Sequence, residues 1–277
     1  MRRRFVTTKV GLSRTELFAG LCILGFVNGI TGRAHNAIVN HGPTAALLDT
    51  FGISAIVWVA FFACPALLLR APRERLRRAD LIVAACALAA FMLPITPLSW
   101  IALTGLALYL LRDRQPRSEA HCGAWILLAI TGAMFWGRLL MLTFNGPILA
   151  ADALLASWFA GTDHAGNTVR FADGEGYVWI APPCSSLANA SLAVLCWVLF
   201  MQFRGLKWSL GNVGWCLLAC VAVTAINVTR IGLMVLHRDA FDVIHGPLGA
   251  AVASWLSMGV MLGIGMVGTR RGRLAHV

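Results

Sequence analysis

The chain has 277 residues, of which 58% are hydrophobic and only 13% charged, with a mean hydropathy of +0.75. Soluble domains average about 45–50% apolar and about 25% charged residues, so this composition excludes an ordinary soluble domain and points to a polytopic membrane protein. The formal net charge of +11 raises nucleic-acid binding as a function, but no basic patch is interleaved with aromatic residues.

Apolar runs of about 17–25 residues suffice to cross hydrocarbon. In chain order such runs fall near 15–32, 47–69, 80–94, 96–111, 122–143, 185–202, 212–236 and 248–268. They predict an all-α bundle of about eight transmembrane helices, forming a single integral-membrane domain over 1–277. The first run is longer than the core of a cleaved signal peptide, so it reads as an uncleaved span. The third and fourth runs are short and joined by "LPITPL". They predict a tight helical hairpin or a re-entrant pair.

Cationic residues choose the side of each loop. The N-terminal arm carries Arg2, Arg3, Arg4, Lys9 and Arg14. The later loops carry Arg70, Arg73, Arg75, Arg77 and Arg78, then Arg112, Arg114 and Arg117, then Arg204 and Lys207. The tail adds Arg270, Arg271 and Arg273. With eight spans these clusters share one face, which is therefore cytoplasmic, as are both termini. Most of the basic charge is thus a topology signal.

The longest outer loop runs from about 144 to 183. Its first part, "AADALLASWFA", has the pattern of an amphipathic interfacial helix. Next, "TVRFA" and "YVWI" flank the turn-type "DGEG" and predict a β-hairpin. The second strand leads to Pro182, Pro183 and Cys184.

Of the eight cysteines, seven fall in spans or at the cytoplasmic end, where packing explains them. Cys184 alone lies at the outer boundary, with no outer cysteine to pair with. Proline suits a first helical turn, and Ser185 or Ser186 can cap the exposed N–H groups there. The expected place of Cys184 is the N-terminal end of the sixth span, where the helix dipole stabilises an anion such as a thiolate. An inert interfacial cysteine is the competing reading.

Arg230 lies inside the seventh span, at a cost of at least about 2.5 kcal/mol, and marks a candidate functional site. Asn227 stands one turn before it on nearly the same face. Snorkelling toward headgroups is the alternative for Arg230. Arg138, in the fifth span, faces the same cost and is a candidate for an ion pair or for lining a substrate groove. His245 precedes "GPLG". It is expected at the N-terminus of the eighth span, where the dipole favours a neutral ring. Cys184, Arg230 and His245 therefore fall on consecutive spans near one surface. A Cys–His pair supplies nucleophile and proton carrier, and an arginine supplies charge for a developing oxyanion.

The ordered segments "CSSL", "NVTRI" and "HGPLG" resemble the exosortase/archaeosortase family of integral-membrane transpeptidases. That family carries a C-S-G-hydrophobic motif, an Asn-x-x-Arg segment, and a His followed four residues later by Gly. Asn227 and Gly249 fit this pattern. Motif-bearing sequence covers about 164–250, and the first five spans match only in hydropathy. The resemblance implies catalytic Cys184, Arg230 and His245, supported by Asn227, Ser185, Ser186 and Arg138. The implied activity is cleavage of exported proteins at a C-terminal sorting signal, made of a short motif, a transmembrane helix and a basic cluster (the PEP-CTERM type). The product passes to an acceptor or to water. The implied location is the bacterial inner membrane with the site facing the periplasm, among membrane lipids and without nucleic acid. Ser186 departs from the pattern, standing where the family has Gly. No cofactor is indicated, since phosphate loops, dinucleotide fingerprints and metal-spaced clusters are missing from the sequence. The alternatives are a non-catalytic transporter, an assembly factor for envelope polysaccharide, or a family member with reduced activity.

Overall fold

Ser13 and Glu16 open the first helix as a reciprocal capping box, the Ser13 side chain accepting from the Glu16 N–H and the Glu16 carboxylate from the Ser13 N–H. The computed structural model describes residues 11–112 and 118–274, with side chains as far as Arg270. Arg2, Arg3, Arg4, Lys9, Arg114 and Arg117 of the cationic clusters lie outside the described residues, as do the side chains of Arg271 and Arg273.

The helices are α1 (Arg14–His41), α2 (Pro43–Leu48), α3 (Ala55–Arg70), α4 (Arg78–Met92), α5 (Thr96–Leu111), α6 (Glu119–Thr131), α7 (Gly137–Ala160), α8 (Ser186–Arg204), α9 (Leu210–Leu236), α10 (Phe241–His245) and α11 (Pro247–Leu274). A π-helical turn over Gly132–Trp136 joins α6 to α7. Among the described residues, five helical stretches are long and apolar enough to cross a membrane: Arg14–His41, Glu119–Ala160, Ser186–Arg204, Leu210–Leu236 and Pro247–Arg270. The chain is therefore a mostly helical protein with the character of a membrane protein. Of the other three expected spans, the one at 47–69 is shorter than read, while those at 80–94 and 96–111 are α4 and α5, as short as read and packed as a helical hairpin. The run at 47–69 begins as a helix only at Ala55, because Thr50 and Phe51 adopt positive φ before it. Helices α3, α4 and α5 have 16, 15 and 16 residues, about 24 Å at most against a hydrocarbon thickness of about 30 Å.

The described residues form two compact units, 11–54 with 61–128 and 55–60 with 129–274. In the first, α1 packs on the hairpin of α4 and α5. Asn28 Nδ2 donates to the Phe91 carbonyl (2.9 Å) and to Ser99 Oγ (2.8 Å). A buried ion pair closes one end of this layer. Asp80, 0% exposed, accepts from Arg14 Nε (2.9 Å), Tyr109 Oη (2.8 Å) and the Arg77 N–H (2.8 Å). Arg14 also bonds Glu74 at 3.1 Å. A charge buried this deeply is tolerable only when so fully partnered.

In the second unit, α7 carries the chain through the expected start of the outer loop and ends only at Gly161, which takes positive φ (67°). The helix expected over "AADALLASWFA" is present, as the last part of α7 rather than as a separate element. Pro147 and the non-helical Phe144 (φ −124°) distort the helix. Leu149, Ala153 and Ala156 resume a buried face, which holds the helix together beyond the distortion. The sheet follows as β1 (His164–Ala165), β2 (Thr168–Arg170) and β3 (Tyr177–Trp179), antiparallel in that order. The expected hairpin is β2–β3, with Arg170 opposite Tyr177 and Thr168 opposite Trp179. The added strand β1 turns back through Gly166 (φ 57°). Val169, Val178 and Ile180 point inward onto Met141, Leu149, Ala153, Ile231, Met234 and Val235, fastening the sheet to α7 and α9. Helices α8, α9 and α11 pack on one another. The start of α8 and the end of α9 lie at the sheet end, with Arg204 and Lys207 at the other end of that antiparallel pair.

Candidate active site

The segment Pro182–Cys184 forms one 3-10 turn, and Ser185 is the N-cap of α8, its Oγ accepting from the Leu187 N–H at 3.2 Å. Cys184 thus stands at the N-terminal end of α8, directly before its N-cap. A second residue also stands at this helix end. Asp152 of α7, 4% exposed, takes the Ser186 N–H at 3.0 Å with Oδ2. A carboxylate at a helix N-terminus is the expected occupant of that partial positive charge. Cys184 itself is half-buried and packs against the cluster of Leu149, Val178, Ile180 and Ile231.

Asn227 and Arg230 carry out the joining. Asn227 Nδ2, on a buried residue of α9, donates to the Cys184 carbonyl at 2.7 Å and to Ser186 Oγ at 3.1 Å. Ser186 is therefore an acceptor that a glycine could not supply. One turn further, Arg230 Nε donates to the Ile244 carbonyl (3.1 Å) and Nη2 to the His245 carbonyl (2.8 Å). The main chains bearing the thiol and the imidazole are thereby tied to donors three residues apart on one helix. Arg230 spends two of its three nitrogens on main chain, and Nη1 has no partner among the described residues.

His245 closes α10 and stands two residues before α11, so it ends one helix rather than opening the next. This corrects its expected place at the start of the eighth span. Its exposed ring stacks on Phe241, with centroids 5.3 Å apart and planes 8° apart. Phe241 in turn meets Phe171 (6.1 Å), and the Arg238 guanidinium lies over Phe171 (5.1 Å). Arg238 also pairs with Asp173 at 3.1 Å. The Asp173 carboxyl is held below its ordinary value, first by the Glu175 N–H and further by Arg238. The sheet loop and α10 are in this way coupled through a column of rings.

Gly249 explains the spacing after His245. A Cβ there would overlap the Ile244 carbonyl, whose carbon would lie 2.6 Å away. This is the carbonyl that Arg230 Nε binds, so a side chain at 249 would dislodge the turn that carries His245.

Cys184, Ser185, Ser186, Asn227, Arg230 and His245 thus share one end of the second unit. Arg138 does not join them. It is exposed in the first turn of α7 and makes no ion pair with a described residue. Asp152 escaped the sequence reading, although a lone acid among Leu149, Ala153 and Ala156 on one helix face was a usable signal. Among the described residues, no group of three or more His, Cys, Asp or Glu side chains could hold a metal ion. Comparison with protein-family models, curated proteins and solved structures finds no match to this chain.

Proposed function

We propose that the chain is a membrane-embedded cysteine protease or transpeptidase, similar to exosortases, that cleaves the C-terminal sorting signal of exported proteins. The observation that carries this reading is the pair of ties on α9, from Asn227 to the Cys184 carbonyl and from Arg230 to the Ile244 and His245 carbonyls. A scaffold that ties a thiol segment and an imidazole segment to donors one turn apart on the same helix suits acyl transfer, in which nucleophile and proton carrier must be held together. In this reading the eight spans are completed by α3, α4 and α5 in a locally thinned or tilted arrangement. The protein lies in the bacterial inner membrane with the site outside.

The Cys184 thiolate attacks the scissile carbonyl carbon. A C–S bond forms, the C–N bond breaks, and the leaving nitrogen takes a proton from the His245 imidazolium. His245 then accepts a proton from the incoming amine, alcohol or water as that nucleophile attacks the thioester, and the thiolate is restored. Arg230 positions the His245 turn and offers Nη1 toward the carbonyl oxygen.

The test is processing of an exported reporter that carries a motif, a membrane helix and a basic cluster at its C-terminus. Wild-type protein should shorten it. Cys184→Ala should abolish shortening, and Arg230→Ala and His245→Ala should reduce it by at least about 100-fold, the scale of general acid–base contributions. Equal processing by all three variants contradicts the proposal.

A further inference from the structure

Strand β3 is an outer strand, and its register decides which of its main-chain groups are free. The Phe171 N–H donates to the Gly176 carbonyl (3.2 Å), and the Ile180 N–H donates to the Asn167 carbonyl (2.9 Å). Val169 stands opposite Val178, and bonded pairs alternate along antiparallel strands. The bonded pairs are therefore 167/180, 169/178 and 171/176. Tyr177 and Trp179 turn their N–H and C=O groups away from β2, and no partner for them is found among the described residues.

Tyr177 and Trp179 are 61% and 64% exposed on the same face of the strand, while Val178 between them is buried. Unpaired edge groups are not tolerated in hydrocarbon, which places this edge in water. The strand also lacks the charges and prolines that blunt most exposed edges. A cavity of about 370 Å³ opens beside it, lined by Asn145, Leu149, Asn167, Trp179 and Pro182 among others.

We infer that β3 is a docking edge for an extended peptide, which adds as a fourth strand beside Tyr177–Trp179 and places one side chain in the adjoining cavity. Free main-chain donors and acceptors in strand geometry select an extended polypeptide, and the neighbouring pocket selects a side chain that contacts the Trp179 indole and a carboxamide. The identity of the peptide rests on the protease reading: it is the stretch before the membrane helix of the sorting signal. Strand β3 runs directly into Pro182, Pro183 and Cys184. A segment added parallel to it carries its C-terminal side toward the thiol. The stretch is then bound first and cut after, on the side of the substrate's own membrane helix.

The experiment uses full-length Cys184→Ala protein in native membranes, co-expressed with exported reporters. Each reporter carries a photo-crosslinking residue at one position of the stretch before its membrane helix. The expected result is crosslinking to the Tyr177–Trp179 segment from alternate reporter positions. Tyr177→Pro and Trp179→Pro each remove one outward N–H and no ladder bond; they should lower the yield roughly three- to tenfold. If those variants fail to fold, prolines scanned through the reporter should lower the yield with a period of two. Crosslinks elsewhere, at no position, or with no alternation overturn the inference. Capture of lipid alone by a crosslinker at position 177 also overturns it, since the aromatics would then be membrane anchors. Crosslinking at β3 without processing by the wild type refutes the protease reading and leaves docking standing. Processing without crosslinking at β3 does the reverse.

Discussion

Asn227 and Arg230, three residues apart on α9, hold the carbonyl of Cys184 and the carbonyls of Ile244 and His245 respectively. One rigid helix thus sets the separation of two segments that are distant in sequence. Asn227→Ala removes the donor to Cys184 and leaves a partly buried carbonyl without its partner. Such a loss costs about 1–3 kcal/mol. The expected result is a lower unfolding temperature in detergent and at least about tenfold slower reporter processing. Unchanged processing with lowered stability would reduce Asn227 to a packing role.

Arg230→Lys separates charge from geometry. A lysine ammonium is a point donor on a flexible stem and does not reproduce the fork that spans two carbonyls. Processing should fall about as far as in Arg230→Ala, despite the retained charge. Near-wild-type processing by the lysine variant would show that charge alone matters at this position.

Gly249→Ala tests the turn that carries His245. The added methyl overlaps the Ile244 carbonyl, and overpacking of this kind costs about 1–3 kcal/mol. Processing should drop as the His245 turn shifts. Leu248, a 67% exposed neighbour, should accept alanine with little effect. An equally active Gly249→Ala protein would contradict the proposed tie between this glycine and the arginine.

The Asp173 carboxyl, held by the Glu175 N–H and then by Arg238, sets a pH dependence. A carboxyl held below its ordinary value stabilises the folded chain above that value, and the contribution disappears as pH falls through the lowered one. The gap in unfolding temperature between wild type and Asp173→Asn should therefore be constant above about pH 5 and shrink below about pH 4. The pair is exposed, so raised salt should narrow the gap as well. A gap that widens on acidification contradicts the assignment.

Local signals in the sequence were faithful where they depended on near neighbours. The "DGEG" turn placed β2 and β3 because its flanks alternate inward Val169 and Val178 with outward residues. Ser185 capped α8 because its oxygen needs only the next N–H groups. Signals failed where a partner lay far along the chain. Nothing near Ser186 announces that Asp152 will claim its N–H, and nothing near Arg14 announces Asp80. The dipole argument for Cys184 left out Asp152 for that reason. The length of α3 was misread because hydropathy reports composition. It does not report the turn at Thr50–Gly52 that shortens this helix, whereas the "LPITPL" joint between α4 and α5 was legible as a break.

The most direct test of the central claim is capture of the Cys184 acyl-enzyme. Membranes containing the protein and a processed reporter are quenched with denaturant, and the peptide spanning Cys184 is analysed by mass with and without hydroxylamine. The account predicts a hydroxylamine-labile adduct on Cys184, carrying the reporter's new C-terminal residues and lost in Cys184→Ala. Reporter cleavage that persists in Cys184→Ala with no adduct on the wild-type thiol would contradict it.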